Sequence, residues 1–138
     1  MGDIVKYILC SFTSLVICQI IKFIYESIKN RKLDFVRLFT GSGGMPSAHS
    51  SFTSALTMLI LFEEGFDSPI FALSFVLMLV ISYDAMGVRN ESSKHARALN
   101  EILKNPTKFK EQIGHEPVEV IAGLLLGTLV AYLFSFIV

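Results

Sequence analysis

Pro117-Val118-Glu119-Val120-Ile121-Ala122-Gly123-Leu124-Leu125-Leu126-Gly127-Thr128-Leu129-Val130-Ala131-Tyr132-Leu133-Phe134-Ser135-Phe136-Ile137-Val138 carries a single charged side chain, Glu119. As a helix it is long enough to cross about 30 Å of hydrocarbon. Working back along the chain, three further apolar stretches stand out: about 4–25, 47–62 and 69–83. The middle two are short, and 47–62 is rich in Ser and Thr; inside a bundle, neighbours can cover a short or polar-faced helix. The chain is 52% hydrophobic over 138 residues. Its mean hydropathy of +0.58 is too high for an ordinary soluble domain of this size. The expected fold is all-α: one integral membrane helical bundle over residues 1–138 with about four transmembrane helices.

The links between these spans differ in charge. The first carries Lys29, Arg31, Lys32 and Arg37, and the third carries Arg89, Lys94, Arg97, Lys104, Lys108 and Lys110. The second, Glu63-Glu64-Gly65-Phe66-Asp67-Ser68, has no basic residue. By the positive-inside rule both basic links face the cytoplasm, and both termini face the opposite side. Lys6 runs against this bias, but alone. In the third link, Ser92 or Ser93 is expected to cap an amphipathic helix ending near Lys104, with Ala96, Leu99, Ile102 and Leu103 as its apolar stripe. Asn105-Pro106 would end that helix. It would lie on the membrane surface or over the bundle mouth.

Net charge is zero, which gives no bulk attraction for nucleic acid. Cys10 and Cys18 both fall inside the first apolar stretch with no metal-ligand spacing, and read as buried small apolar residues. The N-terminus lacks the basic region and cleavage site of a removable signal peptide, and Lys6 breaks the myristoylation pattern.

With four spans, the candidate polar groups fall on one face. Gly43, Gly44, Met45, Pro46, Ser47, Ala48 and His49 open the second span. Glycines permit inward-pointing amides, Pro46 suits a first helical turn, and the amides near Ser47 to His49 would bind an anion with a helix dipole behind them. His49 would then be placed to protonate an oxygen leaving phosphorus. His115 precedes Pro117, and Glu119 is one turn inside the fourth helix. A carboxylate on one imidazole nitrogen orients the other as nucleophile or base; Glu119 as a simple helix cap is the alternative. Asp84 ends the third span, where a carboxylate needs a partner. Arg89 is the nearest, and serves either that pair or a phosphate. Lys94, Arg37 and Lys32 are further phosphate-binding candidates.

These strings resemble a known superfamily. Pro46-Ser47-Ala48-His49 is similar to the P-S-G-H motif of phosphatidic acid phosphatase type 2 enzymes, relatives of bacterial acid phosphatases and vanadium haloperoxidases. His115-x-x-x-Glu119 is similar to their H-x-x-x-D, with Glu for Asp. GGMPSAHS, YDAMGVR and GHEPVEVIAG together resemble the divergent branch. The resemblance implies that His115 attacks phosphorus, Glu119 orients it, His49 protonates the leaving group and Ser47 with nearby amides binds phosphate oxygens. It implies no metal or other cofactor. The superfamily's first motif is absent, since Lys32 and Arg37 have neither its spacing nor its Pro. Phe109 stands where the Arg before the third-motif histidine would fall.

Three functional readings follow. The first is a phosphohydrolase acting on a lipid phosphate or diphosphate. The second is a protein that binds or moves phosphorylated lipid without turnover. The third is a metal site from His49, His115, Asp84 and Glu119. Gly123 and Gly127 form a GxxxG pattern that suits either close packing within one chain or a homodimer.

Overall fold

The structure is a computed structural model, and it describes residues 3–30, 44–104, 109–111 and 113–137. Lys32, Arg37 and Gly43 lie outside these residues, as does the expected helix stop at Asn105-Pro106. Among the described residues there are five helices: α1 (Asp3–Asn30), α2 (Ala48–Glu64), α3 (Pro69–Met86), α4 (Val88–Leu103) and α5 (Pro117–Ile137). No strand occurs among the described residues.

Among the described residues three helical stretches are long and apolar enough to cross a membrane: Ile4–Lys29, Pro69–Leu103 and Pro117–Ile137. Their outward surfaces are apolar, with Phe12, Val16, Leu73, Val76, Leu125 and Leu129 all exposed. In water such a surface would be a liability; against lipid it costs nothing.

α2 is the exception. Its 17 residues span only about 26 Å at 1.5 Å per residue, and its surface is Ser/Thr-rich. It is tolerated because it is the central helix, packed against α1, α3 and α5. Several of its hydroxyls bond to those neighbours. Ser51 meets Ser14 at 2.6 Å, Ser54 donates to the Leu124 carbonyl at 2.7 Å, and Thr57 donates to the Ser74 carbonyl at 3.1 Å. Lipid supplies no hydrophobic force between helices, so small residues and such bonds hold the bundle together. Gly123 and Gly127 belong to this packing. A Cβ on Gly123 would stand 2.4 Å from the Ser47 carbonyl oxygen, and one on Gly127 2.3 Å from that of Ser51. The GxxxG surface is therefore packed closely within the chain, against α2.

Contacts along α2 fix the directions of its neighbours. Cys18 meets the Pro46 carbonyl while Lys6 pairs with Glu63, so α1 runs antiparallel to α2. The Glu119 carbonyl accepts from the Ser47 amide and Tyr132 stacks on Phe62, so α5 runs parallel to it. The starts of α2 and α5 and the end of α3 thus share one end of the bundle. Asp3 and Ile137 lie towards the other. Lys6, which ran against the charge bias, is buried and bonded to Glu63 at 2.7 Å.

Two boundaries differ from the sequence reading. The third-link helix begins at Val88, directly after a break at Gly87, rather than at a Ser92 or Ser93 cap. Those hydroxyls instead bond back to the carbonyls of Val88 and Arg89 within the helix. Of the expected stripe only Ala96 is buried, and Leu99, Ile102 and Leu103 are exposed. Pro46 lies outside the first turn of α2, because Ser47 adopts the extended cap conformation (φ −71°, ψ 117°) and helix begins at Ala48.

Candidate functional site

His115 is placed by three backbone devices. Its amide donates to the Ala85 carbonyl of α3 at 3.0 Å. The preceding amides of Ile113 and Gly114 donate to Ser93 Oγ on α4 at 3.1 and 3.0 Å. Asn100 clamps Phe109 through both its amide and its carbonyl, at 2.7 and 2.9 Å. α4 therefore holds the segment that delivers the imidazole, and Pro117 starts α5 immediately behind it.

The imidazole is 4% exposed, and its Nδ1 lies 2.9 Å from Glu119 Oε2. The same oxygen accepts from the Glu116 amide at 3.1 Å, while the Glu119 carbonyl takes the Ser47 amide. Glu119 thus joins α5's first turn to the start of α2 and fixes the ring. Burial holds His115 below the ordinary histidine pKa, and the Glu119 carboxylate partly offsets this. With Nδ1 protonated toward Glu119, the other ring nitrogen carries a free lone pair. The ring lines a cavity of about 490 Å³ shared with Glu119, Gly44, Glu26, Lys29 and Tyr25.

His49, the second residue of α2, is exposed. It interacts electrostatically with His115, Arg89 and Lys22, and His115 interacts with the latter two. The two histidines and these cations therefore share one end of the bundle. Ser47 is fully buried as the α2 cap: its Oγ accepts from the Ser50 amide at 3.5 Å and meets Ser50 Oγ at 3.0 Å. Its amide is taken by Glu119, so the free donors at this helix start are the amides of Ala48 and His49, which have no partner among the described residues.

Arg89 uses Nε to hold Asp84 Oδ2 at 2.9 Å. Its two terminal amino groups have no hydrogen-bond partner among the described residues. One arginine can therefore satisfy Asp84 and still present a fork. Lys94 instead pairs with Glu91 on the exposed face of α4. Among the described residues no group of three or more His, Cys, Asp or Glu side chains could hold a metal ion, so His49, His115, Asp84 and Glu119 do not assemble as a ligand set.

Lys22 was not singled out from the sequence. It sits on α1 and is 4% exposed, at the same end of the bundle as the two histidines. The available signal was a cation inside an apolar span, which marks a functional site by default.

Beside this polar mouth, α3 and α5 enclose an apolar groove of about 730 Å³. Its walls include Leu79, Val80, Val120, Ile121 and Leu124, and Asp84 and Pro117 also line it.

The Divergent PAP2 family is matched over residues 5–130, a range that includes every group just described. The chain is 33% identical over 150 aligned positions to the uncharacterized membrane protein YuiD of Bacillus subtilis (strain 168), covering 92% of this chain and 94% of that protein. No solved structure matches.

Proposed function

The chain belongs to the Divergent PAP2 family, and on that premise we propose that it is a membrane phosphohydrolase that cleaves a lipid phosphate or diphosphate through a phosphohistidine. The observation that carries this reading is the 2.9 Å bond between His115 Nδ1 and Glu119 Oε2 in a buried, cation-flanked pocket. A carboxylate on Nδ1 leaves Nε2 as nucleophile. In the first step Nε2 forms a bond to phosphorus as the bond to the lipid oxygen breaks, and His49 donates a proton to that oxygen. In the second, water attacks the phosphohistidine, His49 takes its proton, and the N–P bond breaks to release phosphate. The Arg89 fork, aimed by Asp84, and the amides of Ala48 and His49 stabilise the charge on the phosphoryl oxygens.

The α3–α5 groove supports a lipid substrate, since a hydrocarbon chain placed there lies beside Asp84, the partner of Arg89, and Pro117, two residues after His115. The basic residues Lys29, Arg89, Lys94 and Arg97 at this end, against Glu63, Glu64 and Asp67 at the other, support a cytoplasmic site.

The test is phosphate release by purified protein in nanodiscs from phosphatidate, phosphatidylglycerol phosphate and polyprenyl phosphates and diphosphates. The reading requires release that His115→Ala abolishes; release that survives the substitution sinks it. Binding or movement of phosphorylated lipid without turnover is the second reading, favoured by the absent first-motif Lys and Arg. Its signature is saturable binding of such a lipid with no phosphate released.

A further inference from the structure

We infer that Lys22 is a fixed phosphate ligand of this site, holding a phosphoryl oxyanion against the free amides that open α2. The identity of the anion rests on the proposed function. Lys22 puts an ammonium group inside an apolar span. Lys22 is 4% exposed and lies on a helix otherwise built to face lipid and a covered α2. A buried cation costs several kcal/mol unless something compensates it.

Among the described residues no group does so fully. Among the described residues Lys22 makes no hydrogen bond, and no carboxylate lies within the 4.0 Å of an ion pair. Glu26, one turn further along α1, and Glu119 interact with it only electrostatically. Glu119 is already committed to His115 and to the Glu116 amide. The contrast with the other buried lysine is direct: Lys6 has its own carboxylate at 2.7 Å. The fold pairs one buried lysine with a carboxylate and gives Lys22 none among the described residues.

Its position explains why. Lys22 interacts electrostatically with both His49 and His115, so its charge acts on both candidate catalytic rings. Gly44 lets it approach. At φ +88° this residue turns the chain into α2, and a Cβ there would stand 2.6 Å from Glu26 Oε1 and 3.9 Å from Lys22 Cε. A bare glycine therefore lets the chain at residue 44 pack onto α1 beside the Lys22 stem. Residues 44–47 lead directly to the amides of Ala48 and His49, which have no partner among the described residues and carry the positive end of the 17-residue α2 dipole. An oxyanion between those amides and the ammonium satisfies both, and leaves Arg89 to fork the remaining oxygens. α1 thereby supplies the anchoring cation that no loop motif in this chain provides.

The experiment is calorimetric titration of orthophosphate, and separately orthovanadate, into the full chain in nanodiscs. It uses wild type, Lys22→Met, Lys22→Arg and, as a charge control, the exposed Lys104→Met. Wild type binds both anions. Lys22→Met weakens binding at least tenfold, Lys22→Arg stays within about threefold, and Lys104→Met within about twofold. Methionine fits the same space without a charge to desolvate, so the Tm of Lys22→Met equals or exceeds that of wild type. Anion binding unchanged in Lys22→Met overturns the inference, as does no binding by wild type. Loss of binding with a lowered Tm that Lys22→Arg fails to restore also overturns it, as a structural lysine. Lys22-dependent binding in a preparation that releases no phosphate from any lipid sinks the hydrolase reading and leaves this one standing. His115-dependent release with no Lys22 dependence does the reverse.

Discussion

Glu119→Gln isolates one charge while keeping shape. In the native site a single oxygen, Oε2, takes both the His115 ring at 2.9 Å and the Glu116 amide at 3.1 Å. A glutamine can keep both bonds through its carbonyl oxygen, so the pocket survives. It loses the negative charge that raises the basicity of His115, and burial then lowers the ring's pKa further. It also loses enforcement of the tautomer, because the amide nitrogen can donate to Nδ1 and leave the proton on Nε2, where attack is needed. Exchanging a charge-assisted bond for a neutral one costs about 1 kcal/mol of stability. Because Glu119 both orients the nucleophilic imidazole and supports its charge, the rate effect is much larger, about 10²- to 10⁴-fold in kcat. The assay is phosphate release in nanodiscs, with thermal unfolding run in parallel on the same samples. A Tm within a few degrees of wild type together with the rate loss supports the role given to Glu119. Release within about threefold of wild type refutes it and makes Glu119 a helix cap.

Other expectations follow from the same contacts. Gly123→Ala drives a methyl to 2.4 Å from the Ser47 carbonyl; overpacking of this kind costs about 1–3 kcal/mol, and a lowered Tm with lost release is the expected result. Lys6→Met strands Glu63, which is partly exposed, so about 1–3 kcal/mol of stability is lost while His115-dependent release by the protein that remains folded persists; adding Glu63→Leu restores the Tm. His115 has a folded pKa below its ordinary 6.5, so at low pH the unfolded chain binds the extra proton. The stabilising contribution of the neutral ring is present above about pH 6.5 and disappears as pH falls through the folded value. A plot of Tm against pH should therefore slope down below 6.5, and less steeply in His115→Gln; equal slopes contradict the assignment.

The spans were legible because lipid-facing surfaces are continuous apolar runs, and α5 announces itself over its whole length. Convergence of Ser47, His49, Asp84, Arg89, His115 and Glu119 at one end was legible too, since alternating spans force alternate links together. Side-chain commitments were not. Nothing in the string shows that the Ser47 hydroxyl is spent on Ser50, or that Lys94 turns to Glu91. The start of α4 was missed because Gly87 breaks the helix where no proline marks it, and Ser92 and Ser93 resemble caps yet bond backwards. GxxxG reads the same whether its partner is α2 or another chain; the 2.4 and 2.3 Å approaches identify α2. Lys22 was hidden by its surroundings, as one charge inside a span lowers mean hydropathy too little to interrupt it.

The most direct measurement is a trapping experiment on the phosphohistidine. The full chain in nanodiscs is mixed with phosphatidate, quenched in alkali on the millisecond scale, digested and examined by mass spectrometry for a phosphoryl group on the peptide containing His115. The account predicts a phosphate on that imidazole that accumulates before free phosphate is released. It is to be absent in His115→Ala and is to persist longer in His49→Ala, where the water that clears it lacks its base. Phosphate released at the wild-type rate with no phosphoryl group on His115, or a phosphoryl group on another residue, contradicts the account.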